Sequence, residues 1–213
     1  MAQLPVPRLL SCRALLFDLD GTLIDSLAAV DRAWTKFSLR HGLDPAEVMT
    51  QIHGKRSIDS IRRLLPNVDA QAEDSYLRYL ESSDTSGVQA LPGAVELLSS
   101  LPADKWAVVT SGTRDVATAR LTAGGLPRPA VYVFGDDVTN GKPAPDPFLL
   151  GASRLGVEPS ECIGFEDTVA GVQSIESAGM QSIGINVRAS VSISDLREVR
   201  VQTDEDRLLV HLP

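Results

Sequence analysis

The alternation of short apolar runs with helical patterns constrains the fold of this chain more than any other feature. Each run is rich in Val, Ile, Leu or Phe and is followed by polar or turn residues, as is typical of buried parallel strands. Helical patterns between the later runs end at glycine, a common stop signal. The pattern therefore predicts an α/β fold with a doubly wound parallel sheet. The predicted strands span residues 14–17, 106–110, 131–134, 162–165 and 182–187.

One region departs from this alternation. Between residues 27 and 90 no convincing strand pattern occurs, and apolar residues recur at helical spacing, as at Val30, Trp34 and Phe37. The region has room for four helices, which is more than a crossover connection needs. We therefore predict an all-helical cap domain at 27–90, inserted into a core formed by 1–26 and 91–213. A β-hairpin with a polar turn is predicted within 199–212.

Composition excludes several classes of partner and location. The 213 residues include 20 Lys plus Arg and 28 Asp plus Glu, and this net charge of −8 disfavours nucleic acids and anionic membranes. No apolar run approaches the ~18 residues of a membrane helix, and the N-terminus lacks a signal-peptide pattern. Cys12 and Cys162 match no metal or redox spacing. We expect a monomeric cytoplasmic protein with free thiols.

Polar residues follow the predicted strands at the sheet edge where ligands bind in open α/β folds. Asp18 and Asp20 follow the first strand, and Thr110 and Ser111 follow the second. Further along, Lys142 lies between Gly141 and Pro143, and the acidic pair Glu166-Asp167 follows the fourth strand. Clustered carboxylates repel one another unless a hard cation lies among them, and Mg²⁺ accepts carboxylate and phosphate oxygens. With a lysine to balance phosphate charge, this combination indicates phosphoryl chemistry with an attacking carboxylate.

These residues lie in motifs that resemble those of the haloacid dehalogenase superfamily of phosphatases. The motifs are FDLDGTL (17–23), VVTSG (108–112), GKPAPDPF (141–148) and GFEDTVAGV (164–172). The resemblance covers nearly the whole chain and includes a small helical cap of the C1 type. More narrowly, KWAVVTSGTRDVA (105–117), IHGKRSIDSI (52–61) and DVTNGKPAPDPF (137–148) resemble sugar and polyol phosphatases that act on 2-deoxyglucose 6-phosphate or glycerol phosphate. The implied substrate is a small phosphorylated sugar or polyol.

The resemblance implies a role for each motif residue. Asp18 is the expected nucleophile that forms an aspartyl-phosphate, and Asp20 is the expected general acid and then base. The implied Mg²⁺ ligands are Asp18, Asp167 and the backbone carbonyl of Asp20. Glu166 either ligates the metal directly or holds a metal-bound water, and the sequence leaves this open. The residues expected to bind the phosphoryl group are Thr110, Ser111 and Lys142.

A short polar segment lies between two of the predicted cap helices, where a loop could reach the active site. It comprises Gly54, Lys55, Arg56 and Ser57. Gly54 permits a close backbone approach, and Lys55 and Arg56 carry donors for sugar hydroxyls or phosphate. The alternative interpretation is that these are solvated charges at a helix start.

Three other functions compete with the phosphatase. A β-phosphoglucomutase-like phosphosugar mutase would share all four motifs, but its pattern has histidine where this chain has Val30 and arginine where it has Ser57. True dehalogenases lack the second aspartate, which is Asp20 here. A non-catalytic binding protein on the same fold would show a broken motif, and none is broken.

Overall fold

A computed structural model describes residues 8–213, which form two sheets, a two-stranded ribbon and eight helices. The strands, in chain order, are β1 (Arg8–Cys12), β2 (Ala14–Phe17), β3 (Ile24–Asp25), β4 (Gln89–Ala90), β5 (Trp106–Val109), β6 (Val131–Val133), β7 (Cys162–Glu166), β8 (Gln181–Ile185), β9 (Val191–Ile193), β10 (Arg200–Asp204) and β11 (Arg207–Leu212). The helices are α1 (Leu27–Arg40), α2 (Pro45–Ile52), α3 (Ser57–Leu64), α4 (Ala70–Ser83), α5 (Ala94–Ser100), α6 (Arg114–Ala123), α7 (Asp146–Leu155) and α8 (Val169–Ser177). Short 3₁₀ turns occur at Ala103–Lys105, Gly135–Asp137, Pro159–Glu161 and Leu196–Glu198.

The central sheet has six parallel strands in the order β6-β5-β2-β7-β8-β9. Every residue of β2, β5 and β7 is buried, which explains why these segments are apolar in sequence except for Glu166, the last residue of β7. Successive side chains point to opposite faces, so Leu15 and Phe17 join one apolar cluster while Leu16 joins another. Residues of α5 and α6 cover the first face, and residues of α7 and α8 cover the second. The predicted doubly wound α/β fold is confirmed.

The five predicted strands are all present. The structure adds two strands that were not predicted, β9 in the central sheet and β1 in the antiparallel sheet. Strand β9 extends the central sheet beyond β8. The predicted C-terminal hairpin forms between β10 and β11, and β1 pairs with β11 to make a three-stranded antiparallel sheet. Cys12 and Cys162 are free, as expected, and both are buried. Within residues 8–213, no helix combines the length and apolar character that crossing a bilayer requires.

The four helices α1–α4, called the cap helices below, form a separate apolar cluster. Its buried members include Trp34 and Phe37 of α1, Ile61 of α3 and Leu77 of α4. The chain enters and leaves this group through β3 and β4, which pair antiparallel and were not predicted. The division into a cap at 27–90 and a core at 1–26 and 91–213 remains a prediction, and its residues 1–7 lie outside the described part.

Stacked aromatic rings hold the centre of the sheet, and they generate a stability prediction. The ring centroids of Phe17 and Phe165 lie 4.6 Å apart on adjacent strands. Because both residues are fully buried, Phe165→Ala should lower the free energy of unfolding by about 3–5 kcal/mol in urea denaturation. Tyr79→Ala, at a residue that is 67% exposed, should change it by less than about 0.5 kcal/mol. Equal effects of the two substitutions would contradict this account of the core.

Candidate active site

The polar residues that follow the central strands meet at one edge of the sheet. Asp18 directly follows β2, and its backbone N–H donates to the Phe165 carbonyl at 3.0 Å, which extends the pairing with β7. Thr110 directly follows β5, Glu166 is the last residue of β7 and Asp167 follows it. The parallel arrangement of the strands therefore brings together residues that are far apart in sequence.

A cavity of about 340 Å³ lies between this edge and the cap helices. The sheet edge contributes Asp18, Asp20, Thr110, Ser111 and Asp167 to its wall. The cap side contributes Val30, Trp34, Ile52, Gly54, Lys55, Ser57 and Glu81. A ligand in the cavity would contact acidic groups and backbone at one end, and a mixture of apolar and polar side chains at the other.

Lys142 is a buried cation at this edge of the sheet. Its Nζ donates to Asp18 Oδ1 at 2.5 Å, to Glu166 Oε1 at 2.6 Å and to the Val109 carbonyl at 3.2 Å. These three acceptors occupy all the N–H groups of an ammonium. Burial lowers the pKa of Lys142, but Asp18 and Glu166 outweigh it, so the pKa lies above its usual range. Lys142 is therefore a permanent positive charge.

Asp18 is almost completely buried, with 6% of its surface exposed. Burial raises the pKa of its carboxyl well above the usual range; Lys142 opposes the rise, and Glu166 and Asp167 add to it. Carboxylate oxygens of Asp18, Glu166 and Asp167 lie within 4.8 Å of one another. Three carboxylates this close cannot all be ionised without further positive charge.

Glu166 is fully buried, and both of its oxygens are engaged. Oε1 accepts from Lys142, and Oε2 accepts from the backbone N–H groups of Asp167 and Thr168 at 2.9 and 2.8 Å and from the Thr168 hydroxyl at 2.8 Å. The carboxylate thereby fixes both the lysine and the loop that carries Asp167. This arrangement favours a supporting role over direct metal ligation.

Asp167 has the features of a cation ligand. Its Oδ1 is buried and has no hydrogen-bond partner among the described residues, which is costly for a carboxylate unless another charge satisfies it. Burial and then the Glu166 carboxylate raise the pKa of Asp167 to about 7, although Lys142 opposes the rise. A Cβ at Gly21 would lie 2.0 Å from Asp167 Oδ2, so the motif glycine lets the two loops approach. The residues present thus fit a hard divalent cation.

Asp20 is held through one oxygen. Its Oδ1 accepts from the Ser26 hydroxyl at 2.6 Å and from Arg120 Nη1 at 2.9 Å. Arg120 Nη2 donates in turn to Glu81 Oε1 at 2.9 Å. Burial raises the pKa of Glu81, the Arg120 charge opposes this rise, and Asp20 adds to it.

Arg120 and Glu81 were missed by the sequence analysis. A signal existed for Arg120, because it falls on the same buried face of α6 as Val116, Ala117 and Leu121. A charged residue within an apolar helical stripe needs a buried partner. The partner itself could not be found from sequence, since Glu81 lies 39 positions away on α4.

The loop after β5, residues 110–113 (the candidate phosphate loop), contacts residues 54–57 (the cap segment). The Gly112 backbone N–H donates to Thr110 Oγ1 at 3.0 Å, and the Ser111 hydroxyl donates to the Gly54 carbonyl at 3.0 Å. Gly54 has φ +73°, and a Cβ there would lie 2.6 Å from Thr168 Oγ1. Only glycine allows this conformation and this approach without strain.

Three of the four residues predicted to contact substrate at 54–57 line the cavity, and the fourth, Arg56, does not. Gly54, Lys55 and Ser57 line the cavity; the Lys55 ammonium donates to the Gln51 carbonyl at 3.2 Å, and the Ser57 hydroxyl donates to the Asp74 carboxylate.

Arg56 is directed away from the cavity. Its guanidinium forms two hydrogen bonds with Asp59 and donates to the carbonyls of Val138 and Thr139 at 2.7 and 2.8 Å. With these contacts Arg56 joins the cap segment to the loop after β6. The expectation that Arg56 contacts substrate finds no support in this geometry, because its donors are already used.

The family of the chain follows from comparison with known proteins. A model of the family described as haloacid dehalogenase-like hydrolases matches residues 12–179. This match covers more than half of the chain and includes all four motifs. The protein therefore belongs to the haloacid dehalogenase-like hydrolases, and the resemblance seen in its motifs is confirmed.

Three individual relatives show which members of the family this chain is similar to. Hexitol phosphatase A of Escherichia coli is 49% identical over 183 residues, covering 84% of this chain and 85% of that protein. Glycerol-1-phosphate phosphohydrolase 2 of Saccharomyces cerevisiae is 37% identical over 194 residues, covering 84% and 76%. The crystal structure of β-phosphoglucomutase from Clostridium difficile superimposes with a TM-score of 0.74 at 25% identity, covering 89% and 93%. The resemblance to sugar and polyol phosphatases is confirmed, and the mutase shares the fold.

The raised pKa of Asp167 predicts a pH-dependent stability in metal-free protein. The folded value of about 7 exceeds the unfolded value of about 3.9, so the folded state holds the proton more tightly between them. The stability that this group contributes is present below about pH 4 and is lost as pH rises towards 7. In EDTA, Asp167→Asn should therefore raise the free energy of unfolding, relative to wild type, more at pH 8 than at pH 5.

Added Mg²⁺ supplies the complementary measurement. Millimolar Mg²⁺ should stabilise wild-type protein in urea denaturation more at pH 8 than at pH 5, because protons compete for the carboxylates. Asp167→Asn should gain little at either pH, whereas Asp104→Asn, at an exposed position, should behave as wild type. A wild-type gain that is the same at both pH values would contradict the assignment.

Proposed function

We propose that this protein is a Mg²⁺-dependent phosphatase that hydrolyses small phosphorylated sugars or polyols through an aspartyl-phosphate on Asp18. The observation that carries the proposal is the position of Asp18 at the cavity wall, with one oxygen held by Lys142 at 2.5 Å. A buried carboxylate fixed in this way is a nucleophile of defined orientation.

The first step transfers the phosphoryl group. A carboxylate oxygen of Asp18 forms a bond to phosphorus while the bond from phosphorus to the substrate alcohol breaks. Asp20, which lines the same cavity, gives its proton to the departing alcohol oxygen. The alcohol leaves as a neutral molecule and Asp18 carries the phosphoryl group.

In the second step Asp20 acts as a general base instead of a general acid. Asp20, now ionised, accepts a proton from water, and the water oxygen attacks phosphorus. The bond between Asp18 and phosphorus breaks, which releases inorganic phosphate and restores the carboxylate. Asp20 ends the cycle protonated, so protons balance over the two steps.

Phosphate recognition combines several donors and one metal ion. We assign the phosphoryl oxygens to Thr110 and the Ser111 N–H, with Lys142 balancing charge on Asp18 and phosphate together. The residues that would hold Mg²⁺ are Asp18, Asp167 and the carbonyl of Asp20, with Glu166 in support. When bound, Mg²⁺ would offset the negative charge of the carboxylates and of the phosphoryl group.

The cap side of the cavity suits a small polar leaving group. The whole cavity has a volume of about 340 Å³, which is at the lower end of the range for small-molecule sites. Trp34 and Ile52 provide apolar surface, and Lys55 and Ser57 provide polar atoms within reach of hydroxyls. The names of the two related phosphatases, which refer to hexitols and glycerol 1-phosphate, support a polyol or sugar phosphate as substrate.

A phosphosugar mutase is the second candidate, because a mutase shares the fold. Val30 and Ser57, the positions at which this chain departs from the mutase pattern, both line the cavity. Neither an alkyl side chain nor a hydroxyl can replace the charge of histidine or arginine there. We therefore expect release of phosphate from a hexose 6-phosphate without interconversion of isomers, measured by phosphate assay and NMR. The expected monomeric state and cytoplasmic location remain predictions.

Asp18→Asn tests the proposed nucleophile. Because an amide is a very poor nucleophile, kcat for any phosphate ester should fall by roughly 10³-fold or more. Asp115→Asn, at an exposed position on α6, should retain wild-type kcat. The measurement is Mg²⁺-dependent phosphate release across a panel of phosphorylated sugars and polyols, and substantial hydrolysis by purified Asp18→Asn protein would refute the assignment.

A further inference from the structure

We propose that Arg120 is a positioning residue for Asp20, and that Glu81 on the cap helix α4 holds Arg120 in place. This inference rests on the proposed function, since it concerns the proton carrier of that reaction. Arg120 lies on α6 of the sheet-and-helix core and is 4% exposed. It contacts the carboxylate of Asp20 on one side and that of Glu81 on the other.

The hydrogen bonds to Asp20 define the orientation of its carboxyl group. Arg120 Nη1 and the Ser26 hydroxyl both donate to Oδ1, at 2.9 and 2.6 Å. Two donors on the same oxygen oppose rotation of the carboxyl group and leave the proton-carrying role to Oδ2. A Cβ added at Gly112 would lie 4.0 Å from Asp20 Oδ2, so Oδ2 lies on the side of the phosphate loop.

Stability alone is a poor explanation for a buried arginine at this position. Burying a guanidinium and two carboxylates carries a large desolvation cost, and apolar replacements of such groups are often neutral or stabilising. The rest of the buried face of α6 is apolar apart from this residue. The planar guanidinium offers what an apolar side chain cannot, which is two donors in a fixed relation, one for each carboxylate.

Glu81 links this arrangement to the cap helices. It is 8% exposed, and its carboxylate receives Arg120 Nη2 at 2.9 Å. The chain of contacts from Asp20 through Arg120 to Glu81 therefore runs from the loop after β2 to α4. The geometry of Asp20 is complete only when α4 lies against α6.

The basicity of the leaving group separates a positioning role from a structural one. p-Nitrophenolate leaves without help from a proton, phenolate needs it more, and an alkoxide such as that of glycerol needs it most. Each loss is expressed relative to wild type on the same substrate, so binding contacts that the substitution leaves unchanged cancel. The parameter is kcat/KM, because it covers only the steps up to departure of the alcohol and excludes the later attack of water.

The test compares Arg120→Met, Arg120→Lys and Glu81→Gln with wild type at saturating Mg²⁺. Arg78→Met is the matched control, because Arg78 lies on the same helix as Glu81 and joins it to the core through Asp136 at 2.7 Å. The substitution removes this contact between cap and core and a second contact with Asp74 at 2.6 Å, but it touches neither Asp20 nor its partners Ser26 and Arg120. Asp20→Asn is the reference for complete loss of the proton carrier.

The inference predicts a loss that grows with leaving-group basicity. For Arg120→Met, the loss of kcat/KM on glycerol 1-phosphate should exceed that on p-nitrophenyl phosphate by roughly ten-fold or more, with phenyl phosphate between them, as in Asp20→Asn. The loss in Arg120→Lys should be smaller than that in Arg120→Met. Glu81→Gln should also show a loss that grows with leaving-group basicity, but a smaller one. Arg78→Met should lose activity equally on all three substrates.

Other outcomes overturn the inference. Equal losses on the three substrates in the Arg120 and Glu81 variants would reduce Arg120 to a structural residue, and the same gradient in Arg78→Met would assign the effect to cap contact alone. If Arg120→Met does not fold, as judged by thermal unfolding, Arg120→Lys and Glu81→Gln decide the question by the same criterion. Failure of wild-type protein to release phosphate with Mg²⁺ from these three substrates and from the panel of phosphorylated sugars and polyols would refute the proposed function itself.

Discussion

The ammonium group of Lys142, buried among the ends of three strands, is the interaction on which the rest of the site depends. It joins Val109 of β5, Asp18 after β2 and Glu166 of β7 through three hydrogen bonds. The parallel sheet forces these carboxylates close together in a region that excludes water, where like charges repel strongly. The positive charge of Lys142 offsets the repulsion between Asp18 and Glu166, and its hydrogen bond to Asp18 fixes the rotamer of the proposed nucleophile.

One ammonium does not balance the whole acidic group. Asp18 and Glu166 share Lys142, while the buried oxygen of Asp167 has no hydrogen-bond partner among residues 8–213. A phosphate ester would bring further negative charge to the same place. In the proposed reaction a divalent cation would offset the negative charge of the carboxylates and of the substrate, and Lys142 would supply the positive charge that is present throughout the cycle.

The fold and much of the site were accessible from sequence because both depend on local patterns. The apolar runs at 14–17 and 162–165 lie within β2 and β7, and the polar residues that follow these runs necessarily meet at one edge of a parallel sheet. The ribbon of β3 and β4 was not predicted, because its strands are only two residues long and have no periodicity to detect. Strand β9, with three residues, escaped for the same reason.

Side-chain partnerships were harder to predict, since they depend on distances between elements rather than on spacing within one. Whether Glu166 ligates a metal directly was left open by the sequence, because the partners of its two oxygens depend on where Lys142 and the Thr168 loop lie in space. Arg56 illustrates the converse: a charged residue in a polar segment suggested ligand binding, yet the carbonyls it contacts belong to a loop more than 80 residues further along the chain. The pair of Arg120 and Glu81 joins α6 to α4, and no single stretch of sequence contains it.

Covalent trapping of the enzyme during turnover tests the central claim most directly. Wild-type protein mixed with substrate and Mg²⁺ would be quenched in acid within the first turnover, digested and analysed by mass spectrometry. The account predicts a peptide that contains Asp18 and carries one additional phosphoryl group, localised to that side chain by fragmentation. Rapid turnover without any phosphorylated peptide, or with the phosphoryl group on another residue, would contradict it.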